Sequence, residues 1–211
     1  DIIALQELDV RLKRTGGVDQ VGQIARELEM SYHFHPSYII EDGQYGNAIL
    51  SRFPMKLVSV KGFPKFGKNP KEEPSGALWV SVDVGGKNLH FINTHLSIWP
   101  KERKAQAEFL RAEWLRKYLS QEPLILCGDL NASPDSPAYN VLKQVLQDAQ
   151  NGPGRGKPQH TWFGGYPLIR IDHVFVNSLV QVTDVHVPRT RLERIASDHL
   201  PLIVEVKLSK F

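Results

Sequence analysis

Short apolar runs rich in Val, Ile and Leu, each closed off by Gly, Pro, Asn or Asp, recur along the whole chain and limit its fold more than any other feature. Runs of this length make strands rather than helices. Strands are predicted over 1–7, 32–40, 46–52, 55–62, 77–84, 88–95, 123–130, 171–176, 180–187 and 200–208, with the stretch 84–88, VGGKN, as a hairpin turn. Helical spacing is confined to three stretches. Val18, Val21, Ala25 and Leu28 recur over 18–29, and Ala107, Leu110, Trp114 and Tyr118 over 101–119. Val141, Leu142 and Val145 mark 136–148, where Ser136 can cap the first turn. Many strands with few helices between them predict an α/β sandwich, with sheets stacked centrally and helices outside. A length of 211 residues suits one well-cored domain and is short for two, so 1–211 is read as a single domain.

Composition excludes more than it selects. The net charge of +3 is too mild to argue for nucleic acid or an anionic membrane by itself. No run approaches the roughly 18 consecutive apolar residues of a membrane span. Cys127 stands alone inside an apolar run, which rules out a disulfide framework and makes it a packed small hydrophobe. Two segments, 63–76 and 151–159, are rich in Pro, Gly and Lys. They read as solvated surface loops or as loops that touch an anionic ligand. The opening DIIALQEL is already inside an apolar run, and the chain is expected to start within its domain. Nothing in the residues fixes the compartment, and a monomer is expected.

The ends of the strands carry the chemistry. The first run ends at Glu7, a later one at Asn93 and His95, and LILCGDLN at Asp129 and Asn131. Two further runs reverse the order, one beginning with Asp172 and the other with Asp198-His199. If the last two strands run antiparallel to the first three, all these groups gather at one rim. Side chains two apart share a strand face, pairing Asp129 with Asn131 and Asn93 with His95. Carboxylates crowded this way repel one another unless a cation or hydrogen bonds intervene. Oxygen ligands without a thiolate pair suit a hard cation, Mg²⁺ first, with Mn²⁺ as a substitute and Ca²⁺ possible. Zinc is disfavoured, since neither an HExxH nor a paired-cysteine spacing occurs.

The motifs LQE, GNAILSRFP, NTHL, CGDLNASP, RIDHVFV and SDHLPL, in that order, resemble the endonuclease/exonuclease/phosphatase family of metal-dependent phosphoesterases. The resemblance runs from Leu5 to Leu202, and HTWFGGYPLIRIDHVFV is most similar to the family's small bacterial metal-dependent hydrolases. It implies a four-layer α/β/β/α sandwich of the deoxyribonuclease I type, missing its first strand here. It also implies Mg²⁺-dependent hydrolysis of a phosphodiester or phosphomonoester. Glu7 and Asp198 would then be the metal carboxylates. Asp129 and Asn131 would place the attacking water, His199 and Asp172 would form a His–Asp pair, and His95 would stand near the leaving group. Asn47, Asn93 and Arg103 are candidate substrate contacts.

Two departures from the family pattern matter. The Asn ligand usual in a preceding strand would fall before Asp1, in upstream sequence expected beyond this stretch, and Ser75 stands where relatives often carry Arg before Gly-Ala-Leu. Arg103 or a loop lysine could compensate. Lys65, Lys68 and Lys71 form the one local basic cluster, in a loop, which favours a small or lipid-derived phosphate ester or nonspecific nuclease action over a structure-specific nuclease. The competing class is a non-catalytic module that keeps the fold and binds phosphate or a partner. A serine hydrolase is a poor third, for want of a nucleophile elbow. His33, His35, His90, His160, His173 and His186 carry no motif signal and read as structural. Trp79, Trp114 and Trp162 read as core, and Trp99 as core or the mouth of a pocket.

Overall fold

The computed structural model describes residues 1–40, 43–64, 75–116, 121–152 and 155–208. Lys65, Lys68, Lys71 and the end of the second predicted helix, with Tyr118, lie outside the described residues. The strands are β1 (Ile2–Val10), β2 (Ser31–Ile40), β3 (Gly43–Ser51), β4 (Met55–Gly62), β5 (Gly76–Asp83), β6 (Asn88–His95), β7 (Leu124–Asp129), β8 (Gln147–Asp148), β9 (Asp172–Val176), β10 (Val180–His186) and β11 (Ile203–Leu208). The helices are α1 (Gln20–Glu27), α2 (Pro100–Leu110), α3 (Pro137–Lys143) and α4 (Arg191–Ala196). A wider turn, Arg111–Leu115, continues α2.

Strands β1, β3 and β2 form an antiparallel sheet in that order, and β10 pairs with β11 as a ribbon. The larger sheet runs β4-β5-β6-β7-β9-β8. Within it β6 and β7 are parallel, the arrangement that demands a crossover, and α2 supplies it. The other neighbours in that sheet are antiparallel.

Alternation along the strands decides the layering. In β5, Ala77 and Trp79 turn outward to join Leu110, Trp114 and Leu142 under α2 and α3. Leu78, Val80 and Val82 turn inward to meet Ile49 of β3, and the ribbon's Val180 and Val182 enter the same apolar layer. On the far side Val21 and Ala25 of α1 cover Leu8, Ala48 and Leu50. The order is therefore helix, sheet, sheet, helix. Cys127 is buried in the layer between the sheets, where loss of hydration pushes its thiol up to about 12.

Several predicted boundaries are corrected. The stretch 136–148 is not one helix. It starts as expected at Ser136, whose side chain accepts from Tyr139 N, but stops at Lys143, and Gln147-Asp148 pairs with β9 instead. The first strand extends past Glu7 to Val10, and the last begins only at Ile203. Helix α4 was not predicted, because it buries no residue and so leaves no apolar stripe to read. The VGGKN turn closes as expected, with Val84 N donating to Lys87 O and positive φ at Gly85 and Gly86. Trp79 and Trp114 are core, but Trp162 is half-buried on the wall of a cleft.

Where β6 and β7 run side by side, one residue carries unusual backbone. Gly128 has φ +139°, and a Cβ placed there would lie 1.8 Å from the carbonyl oxygen of Thr94. Only glycine fits this close approach.

Candidate active site

The inward faces of three neighbouring strands change from apolar to ionisable at one rim. Leu89 and Phe91 share the face of β6 that ends in Asn93 and His95. Ile125 and Cys127 precede Asp129 on β7, and Val176 and Val174 lead back to Asp172 on β9. Register sets His95 beside Asp129, and Asp129 beside Asp172. The hydrophobic run of β7 ends in a carboxylate because the sandwich itself ends there.

Glu7 arrives from the other sheet. Leu5 pairs with Ala48 and Leu8 with Gly46, so Gln6 and Glu7 together face only Asn47. This bulge gives Glu7 a φ of +60° and re-aims its side chain toward the rim, where Oε1 lies 3.8 Å from Nε2 of His95. Asn93 holds the bulge in place. Its Nδ2 donates to Leu5 O and Ala48 O at 2.9 Å each, and its Oδ1 accepts from Gln6 Nε2 at 2.6 Å. Asn93 is fully buried with its amide occupied, so the substrate contact expected of it is corrected to a tie between the two sheets. Asn47 is likewise buried opposite the bulge, with Nδ2 unpartnered, rather than on the cleft wall.

Asn131 lies beyond the end of β7, not on a strand face with Asp129 as expected. A left-handed residue, φ +49°, folds it back. Its N–H donates to Asp129 Oδ1 at 2.7 Å, and its Nδ2 donates to Leu96 O at 2.9 Å while standing 3.1 Å from His95 Nε2. His199 points in from the loop before β11. Its Nδ1 is 2.8 Å from Asp172 Oδ2, and its Nε2 is 3.9 Å from Asp129 Oδ2. Ligand atoms of Asp129, Asp172 and His199 all lie within 4.8 Å of one another.

Burial and charge shift these groups in opposite senses. Loss of hydration, with the Asp172 and Glu7 charges adding, pushes the Asp129 carboxyl up to about 7, although Asn131 N–H and His199 pull the other way. Burial alone would lower His199, but its bond to Asp172 and the charges of Asp172, Asp129 and Asp198 prevail and raise it to about 9.

Glu7, His95, Asp129, Asn131, Asp198 and His199 line one cleft of about 460 Å³, with Asp172 directly behind His199. Ser75 is on its wall, its Oγ accepting from Gln106 Nε2 at 2.8 Å. Arg103 is not among the lining residues. It sits on α2 and donates to Ile98 O at 3.0 Å, close enough to the site that the Asp129 charge opposes the burial that lowers its pKa. Tyr45, Ser37 and Ser97 also line the cleft, and no motif announced them; Trp162 lines it too, from within the HTWFGGYPLIRIDHVFV stretch, where it read as core.

Behind Asp172, on the helix side of the sheet, lies a buried polar cluster. Arg170 Nη2 donates to Asp148 Oδ2 at 2.7 Å, Tyr139 Oη donates to the same oxygen at 2.7 Å, and His173 Nε2 stands 2.8 Å from Ala132 O. The cluster fastens β9 to the loop that carries Asn131. Burial alone would raise the Asp148 carboxyl, but the neighbouring imidazole of His173, the Arg170 charge, the Tyr139 hydroxyl and Gln150 N–H outweigh it and hold it below its ordinary value. A depressed folded pKa contributes stability above the unfolded value of about 4, lost as pH falls through the folded pKa. Asp148→Asn is expected to cost about 3–5 kcal/mol at neutral pH by stranding a buried guanidinium. Urea unfolding across pH should show the deficit shrinking below about pH 4. A pH-independent deficit would show that the carboxylate charge is not the stabilising element.

The family model of the Endonuclease/Exonuclease/phosphatase family matches residues 1–199. The chain belongs to that family. Its members are hydrolases of phosphate esters. Over 217 aligned residues, spanning 99% of this family member and 83% of the relative, it is 25% identical to the uncharacterized protein YbhP of Escherichia coli K12. Solved structures share its fold, among them two from Bacteroides. The endonuclease/exonuclease/phosphatase of Bacteroides vulgatus superposes with a TM-score of 0.77 at 21% identity, over 99% of this chain and 85% of that one. The mannosyl-6-phosphatase Bt3783 of Bacteroides thetaiotaomicron gives 0.73 at 22% identity, with the same coverage.

Proposed function

We propose that this family member is a phosphoesterase that uses a divalent cation, Mg²⁺ first and Mn²⁺ in its place, to direct water onto a phosphoryl centre. The observation that carries the reading is the meeting of a desolvated carboxylate, Asp129, a His199–Asp172 pair and a carboxylate from the opposite sheet, Glu7, in one cleft.

The donor set fits a hard cation. Glu7 and Asp198 are exposed in the cleft and would hold it, while Asp172 is engaged by His199 and Asp129 accepts from Asn131. Held there, a cation would supply positive charge against that developing on the phosphoryl oxygens. Asp129 is the buried carboxylate beside which water is held, and it takes the water's proton, with Asn131 fixing its orientation. Asp172 fixes the ring of His199 through Nδ1, leaving Nε2 to donate to a phosphoryl oxygen. His95, flanked by Glu7 and Asp129 at 3.8 and 3.6 Å, stands where it can donate to the departing oxygen.

The test is release of nitrophenolate from bis-p-nitrophenyl phosphate with Mg²⁺ or Mn²⁺ titrated in. Cation-dependent turnover is expected. No turnover, with no change in melting on adding cation, would favour a non-catalytic phosphate-binding module instead. Glu7→Gln should raise the half-saturating cation concentration by at least the ~10-fold that loss of an outer-shell partner costs. An unchanged titration would remove Glu7 from the ligand set.

A further inference from the structure

Single exposed apolar side chains mean little, but here they surround one opening. Ile98 and Trp99 form one lip of the cleft, 63% and 41% exposed. A second lip carries Phe163, Tyr166 and Leu168, all exposed, beside Trp162 of the cleft wall. Phe163 stacks on Trp162 with ring centroids 3.5 Å apart. Helix α4 extends this lip, because Arg194 Nη1 donates to Gly165 O at 3.1 Å and Gly164 N donates to Asp198 O. Leu192 and Ile195 of α4 are 69% and 72% exposed and join no apolar cluster.

The charges among them are mostly of one sign. Arg189, Arg191 and Arg194 are exposed on and beside α4. The one acid on the helix, Glu193, is engaged by the Thr190 hydroxyl, and Asp198 faces the cleft. Apolar side chains interleaved with arginine are what an interface of acyl chains and anionic headgroups rewards. Nucleic acid fits less well: Trp99, Phe163 and Tyr166 offer rings, but the interleaved Ile98, Leu168, Leu192 and Ile195 give a base nothing to stack on and suit acyl chains instead. A second copy seated on this collar would close the cleft it surrounds.

We propose that the collar formed by Ile98, Trp99, the 163–168 loop and α4 docks the protein on an anionic lipid surface, so that the cleft opens onto the phosphate ester of a lipid headgroup. This rests on the phosphoesterase reading and names its substrate class.

The experiment is flotation of the full chain with vesicles of equimolar phosphatidylcholine and phosphatidylglycerol, against phosphatidylcholine alone. Association is expected with the anionic vesicles. It should weaken at ~1 M salt, where the screening length is roughly 3 Å. The double variant Leu192→Asp/Ile195→Asp should lower the vesicle-bound fraction about tenfold or more. Its melting temperature and its rate on bis-p-nitrophenyl phosphate should stay unchanged, since neither residue lines the cleft. Absence of vesicle association, or equal association by the variant, would overturn the proposal. So would capture of single-stranded DNA in place of vesicles, or a dimer that the variant dissociates. Turnover of the soluble ester without vesicle association defeats the docking alone. Vesicle association without any turnover supports the docking and defeats the phosphoesterase reading beneath it.

Discussion

His199→Ala lowers kcat on a soluble phosphodiester by about 10²–10⁴-fold, the span that a positioned proton donor or acceptor supplies. In energy this is roughly 3–5 kcal/mol of transition-state stabilisation. The loss belongs to kcat because the ring is held for the reacting centre: Asp172 grips Nδ1 at 2.8 Å and Nε2 is left toward Asp129 and the cleft. The fold survives, since His199 is only half-buried and belongs to none of the three apolar clusters. Initial rates at saturating cation, with thermal melts run in parallel, make the check. Near-normal turnover would strip His199 of its role. A collapsed melt would shift its importance to folding.

Gly128→Ala has the largest expected effect on stability. The added methyl would lie 1.8 Å from Thr94 O, a backbone atom of a paired strand that cannot swing aside, in a φ region that side chains rarely adopt. Relief requires β6 and β7 to separate. Strain and overpacking together cost about 3 kcal/mol or more, or roughly 6–12 °C of melting for a chain of this size. Turnover falls with it, because the strands forced apart are those that carry His95 and Asp129. A melting temperature within about a degree of the parent would mean that the two strands yield far more readily than close-packed sheets do.

The sequence exposed the sheets well and their edges poorly. A short unbroken apolar run is a local signal, and β5, β6 and β7 keep it because each is buried on both sides. The end of α3 was illegible: Val145 and Leu146 continue the helical spacing, yet Ala149 N is drawn to Val174 O and turns Gln147-Asp148 into an edge strand. That pull comes from β9, distant in sequence. In the site, Asp129, Asp172 and His199 were readable because each abuts a strong apolar run. Glu7 was readable as a carboxylate at the end of an apolar run, but the bulge that aims it was not. It is held by Asn93, from another sheet, and nothing near Glu7 in sequence declares that bond. The placing of Asn93 was illegible for the same reason. A buried amide and a ligand-facing amide look identical in a sequence, and only the partners separate them. Trp162 had no period around it to place it on the cleft wall.

The bulge in β1 has a mechanical corollary. Glu7 belongs to one slab of the sandwich, while His95, Asp129 and Asp172 are consecutive rungs of the other. Sliding of the slabs would widen or narrow the gap at Glu7 and leave the three rungs in step. Anything that grips both banks of that seam therefore acts as a staple, so the occupied protein should resist shear, and melt later, by an amount set by its hold across the gap.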